Sequence, residues 1–145
     1  MPTDAEYQRL LAFRTRLRRF DQWSRQAAEQ RGLTHAQHQL LLAVRGSGTG
    51  RGPTIGDVAD ALMVKHHTAT GLVDRTQELG LVERVRDADD SRRVHLRLTR
   101  KGHRILRELT DVHLEELRRL GPMLGPMLDP LAEPIPGSEQ VGTPD

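Results

Sequence analysis

Apolar and small residues recur every three or four positions from Leu10 onward. Leu10, Phe13, Leu17, Phe20, Ser24 and Ala27 keep heptad spacing, with arginines crowding the remaining faces. The pattern predicts one long helix over residues 4–31, stopped by Gly32. A second helix starts at Thr34, which forms a capping box with Gln37, and presents Leu40, Leu41, Leu42 and Val44. After a glycine-rich stretch, RGSGTGRGP, two short helical patterns follow. IGDVADALM carries Ile55, Val58, Ala59 and Leu62 on one face; HHTATGLVDRTQELG carries Ala69, Leu72, Val73, Thr76 and Leu79, and ends at Gly80. Two short helices joined by a tight turn, the second amphipathic, predict a helix-turn-helix. The period then falls to two. LVERVRD and RVHLRL predict a β-hairpin with ADDSR at its tip, where Val94, Leu96 and Leu98 oppose Arg93, His95 and Arg97. Thr99 caps a final helix, expected over residues 100–120 with Ile105, Leu106, Leu109, Val112, Leu117 and Leu120 inward and a break at Pro122.

These elements predict a mainly α fold with a small β-hairpin wing, a winged helix-turn-helix flanked by two long helices. Residues 1–33 are expected to form an N-terminal dimerisation helix and 34–99 the winged domain. Residues 100–128 should give a C-terminal dimerisation helix with a short broken helix, and 129–145 a disordered tail. With 36% hydrophobic and 3% aromatic residues a lone protomer has little material for a thick core, and self-association through apolar helices is the natural remedy. Cysteine is absent, which excludes thiol catalysis, disulfides and zinc–thiolate sites. The first residues carry acids and no apolar leader, and no stretch is long enough to span a bilayer, so a cytoplasmic protein without membrane contact is expected.

Net charge is only +2, yet its distribution is uneven: residues 121–145 hold Asp129, Glu133, Glu139 and Asp145 and no base. Of the 22 basic residues 20 are arginine, suited to bidentate contacts with a polyanion. The glycine-rich loop lacks the lysine and the preceding strand of a Walker loop, and a flexible connector is the better reading. No nucleophile elbow, metal triad or phosphate loop appears, so no enzyme activity and no cofactor are expected.

The stretches LTHAQHQLLLAV, IGDVADALMVKHHTATGLVDRTQELGLVER and DADDSRRVHLRLTRKG resemble the MarR (multiple-antibiotic-resistance regulator) family over roughly residues 6–120. The resemblance implies a homodimer that binds palindromic double-stranded DNA and responds to a small aromatic or phenolic effector, most often as a repressor. A ligand-independent or architectural DNA-binding factor is the alternative. The chain departs from the family pattern in two places. Lys65 stands where many members have Ser at the recognition-helix N-cap, and Ser91 replaces the first of two wing arginines.

A recognition helix reads bases from its N-terminal turns, which nominates Lys65, His66, His67, Thr68, Thr70, Gly71 and Arg75. The His66–His67 pair also fits plain solvated surface. In the wing, Asp87, Asp89 and Asp90 lack the glycine and distal glutamate of a calcium loop. They are expected to pair with Arg86, Arg92 or Arg93 and to stiffen the tip. Arg92 is then expected in a minor groove, with Arg86, Arg93 and Arg97 on phosphates and Asp90 shaping the turn. His35 and His38 stand one helical turn apart, but no third ligand is evident, so no metal is assigned. With Phe20 and Trp23 they are candidates to line an effector cleft, although both aromatics equally fit a dimer core. Leu10, Phe13, Leu17, Phe20, Leu109 and Leu117 are the expected dimer interface.

Overall fold

A computed structural model describes residues 1–48 and 50–129. The elements run α1 (Asp4–Glu29), α2 (His35–Gly46), α3 (Ile55–Leu62), α4 (His66–Glu78), β1 (Val82–Arg86), β2 (Val94–Leu98) and α5 (Arg100–Leu128). The fold is mainly α with one antiparallel hairpin, as the patterning predicts. The chain divides into two units, one of residues 21–113 and one combining residues 1–20 with those from Leu114 onward.

Residues 21–113 contain the principal core. Ala28, Leu40, Leu41, Val73, Leu96 and Leu109 are fully enclosed there, drawn from α1, α2, α4, β2 and α5. Each buried leucine contributes about 1.5–3 kcal/mol relative to an exposed one. Two capping boxes start the helices of this unit. Thr34 Oγ1 accepts the Gln37 N–H at 3.1 Å while Gln37 Oε1 accepts the Thr34 N–H at 2.9 Å. Thr54 and Asp57 repeat the arrangement at α3, and the Thr54 N–H and hydroxyl hold the Asp57 carboxyl below the usual carboxylate range. The turn from α3 into α4 passes through Met63 at φ 54, a left-handed conformation unusual for a residue other than glycine.

The hairpin register pairs Val82 with Leu98, Arg84 with Leu96 and Arg86 with Val94, with Glu83–Arg97 and Val85–His95 alternating between them. Leu96 also donates its N–H to the Pro53 carbonyl at 2.8 Å. The exit of the glycine-rich loop therefore lies along β2. A β-carbon on Gly52 would stand 2.2 Å from the Leu96 carbonyl oxygen, and one on Gly102 would stand 2.1 Å from that of Leu81. The loop is a connector pinned at its end.

Four expectations need correction. Helix α1 ends at Glu29, and Gly32 at φ +76 closes its turn. Leu42 is exposed. Leu109 is wholly buried in the core of residues 21–113, so it serves its own protomer's packing and has no surface to offer a partner. Finally, α5 continues to Leu128 with Pro122 and Pro126 inside it. Proline's fixed φ is compatible with a helix; its cost lies in the lost i→i−4 bond and in the clash of its ring with the i−4 carbonyl. Both prolines are exposed, where water can satisfy the freed carbonyls. The expected tail lies, apart from Asp129, outside the described residues.

In the second unit Tyr7, Leu10, Leu11 and Leu17 of α1 and Leu114, Leu117 and Leu128 of α5 are exposed. Phe13 and Phe20 are half-buried. Exposed apolar residues in such number on two helices mark an interaction surface more readily than a solvent face.

Candidate nucleic-acid interface

Helix α4 opens at Lys65, whose side chain makes no capping bond. Its first four backbone N–H groups thus lack a side-chain acceptor, which leaves that end of the helix attractive to an anion. Lys65, His66, His67 and Thr68 are exposed, and Thr70 and Gly71 are half-buried. The Thr70 hydroxyl donates back to the His66 carbonyl at 3.0 Å. A β-carbon on Gly71 would meet the Arg75 guanidinium at 3.3 Å, so the glycine clears room for the exposed Arg75. The opposite face, Ala69, Leu72, Val73 and Thr76, is buried. Arg84 of β1 donates to Asp74 at 2.6 Å and also to Gln77, tying α4 to the hairpin. These contacts fix the orientation of α4 against the hairpin.

At the wing, the aspartates take other partners than expected. Arg51, from the glycine-rich loop, donates to Asp87 at 2.9 Å and to Asp89 at 3.1 Å. His95 stands between the Gly52 carbonyl, at 2.9 Å, and Asp87, at 3.3 Å. The Asp87 side chain is only 5% exposed. The Asp89 N–H and then the Arg51 guanidinium hold its carboxyl below the usual range. Asp90 accepts the Arg92 N–H at 3.0 Å, and the Asp87 N–H reaches the Arg93 carbonyl at 2.9 Å. Side-chain-to-backbone bonds thus shape the tip, and Arg86, Arg92 and Arg93 are exposed without an ion pair among the described residues. Arg97 differs, because it is paired with Glu83 across the hairpin. Neither Arg51 nor His95 stood out in the sequence. Arg51 lies 36 residues from Asp87 and no local spacing links them.

A second polar cluster lies where α1, α2 and α5 meet within residues 21–113. His113 Nδ1 donates to the Leu109 carbonyl at 2.6 Å, which leaves Nε2 to accept the Ser24 hydroxyl at 2.7 Å. Its ring packs edge-on to Trp23, with centroids 4.8 Å apart, and tilts against His38 at 4.7 Å. His38 is 3% exposed. Burial, and then the neighbouring His113 and His35, push its pKa down to about 4. Nδ1 of His38 and of His35 are buried without a partner among the described residues. His113 was not anticipated. Of the expected cleft, Trp23, His35 and His38 belong to this unit, whereas Phe20 belongs to the other. No group of three potential ligands is placed to hold a metal among the described residues, and no helix there is long and apolar enough to cross a membrane.

Residues 31–93, from the turn after α1 to the wing arginines, match the MarR family model. Over this segment the chain is similar to the MarR family. The chain is 40% identical over 65 residues to the HTH-type transcriptional regulator YsmB of Bacillus subtilis, covering 45% of the present chain and 44% of that protein. The chain spans about half the length of the curated relatives it matches. Among solved structures it is similar to MepR of Staphylococcus aureus in complex with DNA, at 27% identity and a TM-score of 0.62 over 83% of this chain and 98% of that one. A MarR family protein from Bacillus stearothermophilus gives 28% identity and a TM-score of 0.66, with 89% and 81% covered.

Proposed function

We propose that this chain is a homodimeric, sequence-specific DNA-binding transcriptional regulator that acts as a repressor relieved by a small aromatic or phenolic ligand. The observation that carries the reading is the pairing of an exposed helix start, Lys65 to Thr68, with a wing tip whose Arg92 and Arg93 are exposed and unpaired. Thr68 and Thr70 suit thymine methyl groups, and His66 and His67 can donate to guanine N7 or O6. Arg92 suits a narrow minor groove, while Lys65, Arg86 and Arg93 suit phosphates. Arg97 keeps a lesser part in this scheme, since Glu83 already neutralises it. The solved MepR–DNA complex supports this assignment by likeness of fold and sequence.

The apolar residues exposed on α1 and α5 support a dimer, with Leu10, Leu17 and Leu117 at the surface and Phe13 and Phe20 half-buried among them. The dimer's two recognition helices would meet half-sites about 10–10.5 base pairs apart. Trp23 and the unpartnered Nδ1 atoms of His35 and His38 support a ligand role, because they offer an aromatic edge and unused hydrogen-bonding atoms around one cluster.

Fluorescence anisotropy on DNA upstream of the gene and on a scrambled duplex, at two salt concentrations, tests the reading. Selective binding that weakens steeply with salt, and that Arg92→Ala lowers without unfolding the chain, is expected. Equal, weak binding to both duplexes would refute it. Salicylate should quench or shift Trp23 emission and weaken the selective complex; unchanged affinity would leave a ligand-independent DNA-binding factor.

A further inference from the structure

His95, on β2, stands at the base of the wing with its side chain only 14% exposed. Nδ1 lies 2.9 Å from the Gly52 carbonyl oxygen and Nε2 lies 3.3 Å from Asp87 Oδ2. A carbonyl oxygen can only accept, so Nδ1 carries a proton. The Asp89 N–H and the Arg51 guanidinium hold the Asp87 carboxyl below the usual range. An ionised carboxylate also only accepts, so Nε2 carries a proton too. The two contacts are therefore made together by the imidazolium, and a neutral ring must give one of them up.

The surrounding charges favour the same protonation state. Arg51 bonds to Asp87 and to Asp89, and one guanidinium leaves a negative charge over. Asp57, on α3, is a third acid whose carboxyl interacts with His95. Arg45 of α2, Arg86 of β1 and His103 of α5 border the same cavity and oppose this, while Arg97 of β2 is met by Glu83. Among the described residues Asp87 makes ion pairs with Arg51 and His95 alone. Asp87 is also where the strand gives way to the tip. Its carboxylate accepts the Asp89 N–H at 2.9 Å, and its own N–H donates to the Arg93 carbonyl. We propose that the His95 imidazolium is the positioning residue of the wing: it ties Asp87 to the Gly52 carbonyl, and loss of its proton loosens the tip that carries Arg92 and Arg93. The consequence for DNA, weaker wing contacts as pH rises, rests on the proposed function; the tie itself does not. Imidazole is the side chain whose charge ordinarily changes near neutral pH.

Nitrogen-15 NMR of the full chain without DNA tests the tie. At about pH 6 both His95 ring nitrogens should show the shifts of an imidazolium. As one proton leaves at higher pH, the Asp89 and Arg92 backbone amides should move in step. In His95→Gln, which keeps a donor but has no titrating charge, they should not. Anisotropy on the duplex from upstream of the gene, at fixed ionic strength, then reads the consequence. Over the same pH interval the wild type should lose selective affinity by about threefold or more beyond the loss in His95→Gln. Comparison with the variant removes the contribution of His66 and His67; a merely structural role would weaken the variant equally at every pH. A His95 ring already neutral at about pH 6, tip amides that ignore its titration, or parallel affinity losses in the two proteins would overturn the proposal. Should the variant fail to fold, the wild-type titration alone decides. If ring and tip titrate together but the wild type binds no DNA selectively at any pH, the tie stands and the DNA-binding reading fails.

Discussion

The buried His38 gives this chain a calculable sensitivity to acid. In the unfolded state its imidazole titrates at the ordinary 6.5, whereas in the fold burial and the adjoining His113 and His35 lower the value to about 4. The unfolded chain therefore takes up a proton that the native chain refuses. Stability is full above about pH 6.5, falls as pH drops through the window between 6.5 and about 4, and is level below it. At 1.36 kcal/mol per pH unit the loss between pH 7 and pH 5 comes to about 2 kcal/mol. Residual solvent access around the ring trims this to about 1–2 kcal/mol. Urea unfolding at pH 7 and pH 5, at one protein concentration, measures it for the wild type and for His38→Leu. Histidines outside this cluster contribute equally to both proteins, so the difference reports His38 together with its coupling to His113 and His35. The variant should lose about 1–2 kcal/mol less than the wild type over the interval. It should be no less stable at pH 7, because a buried unpartnered nitrogen has been removed. Parallel losses in the two proteins would refute the reasoning and show that His38 accepts its proton within the fold.

Glycines in α5 should respond with opposite signs. Gly102→Ala forces a methyl group against the Leu81 carbonyl and should lower Tm, with overpacking of about 1–3 kcal/mol exceeding the helix propensity gained. Gly121→Ala meets nothing within 4 Å and should raise Tm, because α5 is continuous there; calorimetry of both variants decides. Lys65→Ser supplies the missing N-cap acceptor at α4 and should stabilise the chain by about 1 kcal/mol in chemical denaturation, at some expense of phosphate affinity. Leu17→Asp places a charge among the exposed apolar residues of α1 and should yield monomers by sedimentation velocity. A persistent dimer would move the interface to α5.

Where periodicity and capping act locally, the sequence was a sufficient guide. Thr34 with Gln37, the buried stripe of α4, Gly32 and the alternation of β2 could all be read from neighbours within four positions. The misreadings share a cause of the opposite kind. Leu109 has the spacing of an interface residue, but spacing reports that a residue is inward, not whether the apolar neighbour belongs to the same chain. Pro122 was weighed by its intrinsic cost without the solvent on its exposed side. Arg51, His95 and His113 act through partners 36, 43 and 89 residues away, at distances where only the folded chain brings them together.

The wing tip separates form from chemistry. Asp87 and Asp90 hold its outline through backbone N–H groups, and Arg51 and His95 anchor its base; Arg92 and Arg93 take no side-chain part in either. Their side chains can be exchanged without redrawing the loop that carries them. On the proposed function, what the wing contacts on DNA can change by substitution at these two positions while the frame presenting them is inherited unchanged.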